Sequence, residues 1–373
     1  MFLALREMRH AKARYCLIMV IMLLVSFLVL FVTGLARGLS YANISALENM
    51  PAGYFLIQDD AGHAFRRSQL GAEDFAAAKE AVGAGNAAAL GVQNGTITVD
   101  GAEVKTDITF FAVDMQGLLA PKLAEGTGIS NEESGRAVVD AKLEESGVKL
   151  GSTIRDQTSG MSWTVSGFVN DSSYSHVPVV YINNADWQTM KQGALTGNNG
   201  TPADVPFNVI ALKSSSVQAA DLAAQLDQVE SITKKQAIAS VPGYAAEQGS
   251  LQMMIAFLFV ISAVVLAVFF YVITIQKTSQ FGVLKAMGTR TSYLAWSVLC
   301  QVLVLSVISL ALSLLLTYGM NMGLPDAMPF QLEGSTMAFT GGLFIAVSLL
   351  GALISVVRVT KIDALTAIGR AGA

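Results

Sequence analysis

Charged side chains are scarce in this 373-residue sequence: Asp, Glu, Lys and Arg together make up 14%. A soluble domain carries about a quarter, so a wholly water-soluble fold is excluded. Cysteine is scarcer still. The two present, Cys16 and Cys300, both lie inside long apolar runs and read as small packing residues rather than redox or metal ligands. The three histidines, His10, His63 and His176, stand alone, with no H-E-x-x-H pair among them. There is no G-x-x-x-x-G-K-[ST] phosphate loop, no C-x-x-C and no G-x-S-x-G elbow. No catalytic residue and no resident metal are expected. If the protein performs work, the energy must come from a partner.

What is present is apolar. Mean hydropathy is +0.51 and 53% of residues are hydrophobic. Four runs reach the length of about 20 residues that a bilayer crossing needs: Tyr15–Leu35, Leu251–Ile275, Tyr293–Gly319 and Met337–Val357. None contains Asp, Glu, Lys or Arg, which disfavours a proton relay and hence an ion-coupled transporter. Arg6, Arg9, Lys12 and Arg14 precede the first run, Lys277, Lys285 and Arg290 separate the second from the third, and Arg358, Lys361 and Arg370 follow the fourth. The connection 320–336 holds only Asp326 and Glu333. Cations face the cytoplasm, so both termini are expected there, in a multi-pass protein of the cytoplasmic membrane.

The stretch 38–250 must then lie outside. It holds 13 Lys and Arg against 24 Asp and Glu and no cysteine, so an acidic domain without disulfides is expected. Nothing here suggests a nucleic-acid partner. Strands are expected at "YFLIQDD", "RAVVD", "SWTVSGFVND", "VPVVYIN" and "PFNVIALK", and helices at "AEDFAAAKEAV", at 184–191 and at "VQAADLAAQLDQV". A hairpin is expected around Asp100-Gly101. "RGLSYANISALEN" and "YAAEQGSLQMM" should continue the first and second spans as helical stalks. The fold class is therefore a membrane protein of four transmembrane α-helices (15–37, 251–275, 293–319, 337–357), with a large mixed α/β extracytoplasmic domain, 38–250, between helices 1 and 2. Residues 1–14 either form an amphipathic surface helix, with Phe2, Leu5 and Met8 on one side, or a plain basic flank. Residues 276–292, 320–336 and 358–373 complete the chain as coupling segment, outer loop and tail.

The connection "QKTSQFGVLKAMGTRTSYL", 276–294, resembles the R-x-x-E-[IF]-G-[IV]-L-[KR]-A-[IL]-G segment of MacB/FtsX-type ABC transporter permeases. Gln280 stands where the family carries an acid. "RVTKIDALTAIG", 358–369, is similar to the family's ending, and "VVDAKLEESGVKLGSTI" to a piece of its exterior domain. The resemblance implies a coupling helix that docks on a separate ATP-binding subunit, where ATP and Mg are held, in a complex of two permeases and two ATPases. Phe281, Leu284 and Met287 lie at helical spacing and could fill an apolar notch. Lys285 and Arg290 could meet acids at its rim, and Gly288 would end the helix. A short helix buried among headgroups is the alternative. The small residues of "GGLFIAVSLLGALIS" suit close packing, within one chain or across a dimer.

Relatives of this family handle haem, macrolides, peptides or lipoproteins, and some regulate cell-wall hydrolases instead. As a whole the chain is most similar to the haem-efflux permeases of Gram-positive bacteria. On a stalk continuing the first span, Arg37, Tyr41, Ile44 and Glu48 share a face, and Tyr244, Glu247, Leu251 and Met254 share one before the second. Arg37 could hold a haem propionate, with Tyr41, Tyr244, Glu247 or Glu48 as oxygen ligands for iron. An interfacial belt of aromatic and charged residues accounts for the same residues. Haem is the expected substrate; an amphipathic peptide or drug, or a regulatory role, are the alternatives.

Overall fold

The computed structural model describes residues 12–99, 104–195, 205–324 and 328–360. The Phe2, Leu5 and Met8 stripe, the Asp100-Gly101 turn, most of "LTGNNGTPADV" and the tail beyond 360 lie outside the described residues.

In chain order the elements are α1 (Lys12–Glu48), β1 (Tyr54–Gln58), α2 (Ala72–Val82), β2 (Ala87–Val99), β3 (Lys105–Val113), β4 (Leu123–Gly126), β5 (Arg136–Asp140), β6 (Thr153–Asp156), β7 (Ser162–Val169), β8 (Ser173–Tyr174) and β9 (Val177–Asn183). Then come α3 (Asn184–Leu195), β10 (Val209–Leu212), α4 (Ser216–Gln225), β11 (Val229–Thr233), α5 (Lys234–Ala239), α6 (Tyr244–Gln276), α7 (Thr278–Ala286), α8 (Thr291–Asn321) and α9 (Gly334–Thr360). Two compact units result: Met1–Leu39 with Gly249–Ala373, and Ser40–Gln248.

The first unit is helical. α1, α6, α8 and α9 are each long and apolar enough to cross a membrane. α1 does not stop with its apolar run: it is one helix of 37 residues, ending just before Pro51, whose ring disfavours helix in the residue ahead of it. Helices in lipid gain little from apolar burial, so close approach and hydroxyl bonding hold them. Gly351 lets α9 approach Ala267 of α6, and Gly341 lets it approach Leu310 of α8, so these two glycines pack within the chain. A Cβ on Gly342 would meet nothing within 4 Å. Ser309 on α8 reaches across to donate to the Met19 carbonyl of α1 at 3.2 Å, while Ser306 and Ser348 turn back onto their own helices.

The second unit is an α/β domain on one mostly antiparallel sheet, ordered β11-β1-β10-β2-β3-β9-β5-β7-β4, with β6 beside β2 and β7 and β8 beside β9. β3/β9 and β5/β7 are its parallel pairs. Strand alternation divides the core: Phe111 and Val113 face a layer with Phe55, Tyr181 and the α1 residues Ile44 and Leu47. Ile108, Phe110 and Ala112 face one with Trp163 and Trp187. The expected hairpin is present as the antiparallel β2–β3 pair, with Thr98 opposite Lys105. "VESIT" was not expected as a strand, yet forms β11 at the sheet edge. Its half-exposed face leaves no apolar alternation to read.

Candidate functional site

Within the α/β unit, the last turns of α1 meet the first turn of α6. Ser40 Oγ donates to the Tyr244 hydroxyl at 3.4 Å and accepts from Gln248 Nε2. Asn43 Nδ2 donates to Glu247 Oε2 at 2.8 Å, and His176 Nε2 lies 2.8 Å from the same oxygen. Glu247 Oε1 and Asn43 Oδ1 are buried and accept no hydrogen bond among the described residues. A carboxylate with one oxygen satisfied and the other shielded from water is a strong candidate ligand, because an unmet buried acceptor costs free energy that a cation would recover.

The hairpin that carries His176 explains its placement. Tyr174 pairs with Val177, leaving Ser175 and His176 as a two-residue loop. Both have positive φ, +55° and +64°, as a type I′ hairpin turn demands and as Gly or Asn would adopt more easily. Two non-glycine residues in the left-handed region are a local cost. Contacts offset it: Ser175 N–H donates to the Asn43 carbonyl at 2.8 Å and Ser173 N–H to Ser45 Oγ at 2.8 Å. The turn thus clamps α1 and, through His176, the start of α6. In the sequence His176 stands alone. The only signal for it was the tight spacing of two short strands.

Tyr41, Glu48 and Arg37 have partners of their own. The Tyr41 hydroxyl accepts from Asn49 Nδ2 at 2.8 Å. Glu48 lies beside Lys234, whose ammonium burial pushes down in pKa while Glu48 opposes that shift. Arg37 belongs to the helical unit, where its Nε donates to Glu333 Oε2 at 3.0 Å. The Ser335 hydroxyl, the largest effect, holds the Glu333 carboxyl below its ordinary value; burial opposes it, and Thr336 and Arg37 add smaller lowering effects.

The coupling segment folds as α7. Gly288, at φ +92°, ends it, with Gly288 N–H bonded to Lys285 O at 3.0 Å and Thr289 N–H to Leu284 O at 3.1 Å. This is a Schellman stop, which the left-handed freedom of glycine permits. The sequence stripe does not present one face. Phe281 is 1% exposed and packs inward with Leu294, Val298 and Leu284. Met287, 69% exposed, and Val283, 46%, face outward, with Arg290 exposed and Lys285 half-buried. Lys277, read from sequence as part of a polar connection, is buried at 4% exposure.

Residues 253–364 match the FtsX-like permease C-terminal family. The chain is 31% identical over 369 residues to a protein of Staphylococcus haemolyticus named as a hemin transport system permease protein, HrtB, covering 99% of each chain. An HrtB of Staphylococcus epidermidis is 28% identical with the same coverage, and an ABC transporter permease of Mycobacterium tuberculosis is 22% identical over 85% of this chain and 84% of its own. Among solved structures, the extracellular domain of the ABC-type transporter YknZ from Gram-positive bacteria aligns at TM-score 0.35 and 16% identity, over 48% of this chain and 98% of its own. The periplasmic region of MacB from Actinobacillus actinomycetemcomitans aligns at 0.36 and 16%, over 53% and 99%. Matched over 99% of its length by a relative at 31% identity, with four helices long and apolar enough to cross a membrane and an α/β domain between the first and second of them in the chain, the chain belongs to the FtsX-like family of ABC transporter permeases.

Proposed function

We propose that this chain is the permease subunit of an efflux pump that exports haem from the membrane. Two copies would work with two ATP-binding subunits, which hold ATP and Mg, and both termini would face the cytoplasm. The full-length similarity to permeases named for hemin transport carries the choice of substrate. The geometry supports the reading: Glu247 would offer ferric haem an oxygen ligand, with the Tyr244 hydroxyl and the His176 imidazole in the same cluster. A propionate seeking Arg37 would have to compete with Glu333. Tyr41 and Glu48 remain proposed contributors, reached only if their present partners are exchanged.

Haem would enter from the outer leaflet, where its apolar faces already place it, and closure of the α1 and α6 stalks driven by ATP would expel it outward. The lack of charge within the apolar runs supports this route, since a polar path across the bilayer is hard to build from them. α7 would dock on the ATPase through Met287, Val283 and the cations Lys285 and Arg290, with Leu284 behind them and Gly288 setting the stop.

The test is co-purification with the ATP-binding subunit followed by haem titration. A saturable haem absorption band is expected, shifted by Glu247→Ala and by Tyr244→Phe. If no saturable band appears, the haem assignment falls and export of an amphipathic peptide or drug takes its place. ATPase activity that answers to an exterior protein and to no small molecule would instead mark a regulator of cell-wall hydrolases.

A further inference from the structure

A second polar cluster lies in the helical unit. Lys277 is the single residue between α6 and α7, and its backbone, at φ −95° and ψ 1°, leaves the helical range. Its Nζ donates to the Tyr15 hydroxyl at 2.6 Å and to Gln301 Oε1 at 3.3 Å. The Tyr15 hydroxyl donates in turn to Gln301 Oε1 at 2.9 Å. Three helices are thereby joined in a closed triangle: α1 at Tyr15, the α6–α7 joint at Lys277, and α8 at Gln301. Each member is at most 6% exposed. They line a cavity of about 20 Å³ together with Phe281 of α7 and Val298 of α8, room for about one water molecule.

The choice of residues is costly. An ammonium buried among apolar helices is more expensive than a methionine of similar shape, and a bundle needing only packing would not carry one. The location supplies a reason. Phe281 of α7 packs against Leu294 and Val298 of α8, so a force on α7 moves Phe281 and the joint at Lys277 together. A bent joint alone would dissipate that movement. The triangle ties the joint to Tyr15, and Tyr15 sits near the start of α1, an unbroken helix of 37 residues.

We propose that Lys277, Tyr15 and Gln301 form the transmission joint of the permease: positioning residues that pass displacement of α7 into α1. The inference rests on the docking of an ATPase at α7 put forward above. It requires nothing of the substrate.

The test uses the full permease bound to its ATP-binding subunit in lipid nanodiscs. Nitroxide labels replace the exposed residues Leu24 on α1 and Leu314 on α8, and their separation is measured with and without ATP. Tyr15→Phe keeps the ring and removes the hydroxyl, and Gln301→Leu removes the acceptor. In both, co-purification and basal ATP hydrolysis should persist, while the population shifted by ATP falls at least about fivefold, since each change removes two of the three buried hydrogen bonds and one alone is worth about that factor. Gln301→Glu retains an acceptor and should restore the shift, which a merely structural defect would not do. A shift of wild-type size in both Tyr15→Phe and Gln301→Leu overturns the joint, as does a loss that Gln301→Glu fails to restore. Failure of the docking premise shows elsewhere: Met287→Asp would then still co-purify with the ATPase.

Discussion

Two substitutions, one on α7 and one at its C-terminal cap, should have opposite consequences. Phe281 is 1% exposed and packs with Leu294 and Val298, while Met287, two turns on, is 69% exposed. Phe281→Ala opens a cavity under α7. Soluble cores lose about 3–5 kcal/mol for such a change; here the value should sit near the low end, about 3 kcal/mol, because lipid competes for the apolar surface. Met287 is not part of the buried cluster around Phe281, so Met287→Asp should change stability by less than about 0.5 kcal/mol. At a docked interface, however, loss of an apolar anchor costs about 2 kcal/mol, or about 30-fold in Kd. The assay pairs thermal melting of the detergent-purified permease with titration of labelled ATPase onto it. Phe281→Ala should melt early, and Met287→Asp should melt normally yet bind weakly. The reasoning is refuted if Met287→Asp binds like wild type, or if Phe281→Ala leaves the melt unmoved.

Three further outcomes follow from the structure. Gly38→Ala should destabilise the helical unit by about 1–3 kcal/mol, as overpacking does, since its Cβ would overlap the backbone of Pro329 and Phe330; the melt of the purified variant checks this. Burial raises the Asp140 carboxyl above its ordinary 3.8, against N–H bonds from Lys142 and Ser172. The folded state then binds more protons than the unfolded between those pKa values, so the stability from this group is present below 3.8 and lost as pH rises through the raised pKa. The advantage of wild type over Asp140→Asn should therefore grow on acidification in paired melts; an advantage that shrinks contradicts the assignment. Single cysteines placed at Asp60, Gly160 and Glu230 should react with an impermeant reagent from outside, and one at Lys285 should not. Labelling of position 285 from outside reverses the orientation.

Much of the architecture was legible because it is local. Run length marks a membrane helix whatever surrounds it, and a short β-branched run marked β9, because a strand with core on both faces carries few polar residues. Gly288 announced the end of α7 because few other residues adopt its φ. Where local pattern fades, reading fails: β11 is half-exposed, and Phe281, Leu284 and Met287 share a spacing but not a destination. Helical period shows which residues are neighbours on a surface; it does not show which side of that surface is already covered.

The amino-acid sequence by itself determined four apolar helices, an acidic α/β domain between the first and second, and a short basic helix with a glycine stop. These depend on residue type and on spacing of a few positions. The tertiary structure alone decided that His176 meets Glu247, 71 residues away, that Asn43 meets it across 204, and that Tyr15 meets Gln301 across 286. A polar side chain of ordinary type acquires a role when burial removes water and leaves it one or two partners. Which partners those are is set by how the sheet and the helix bundle fold back on themselves, over separations that no local pattern encodes.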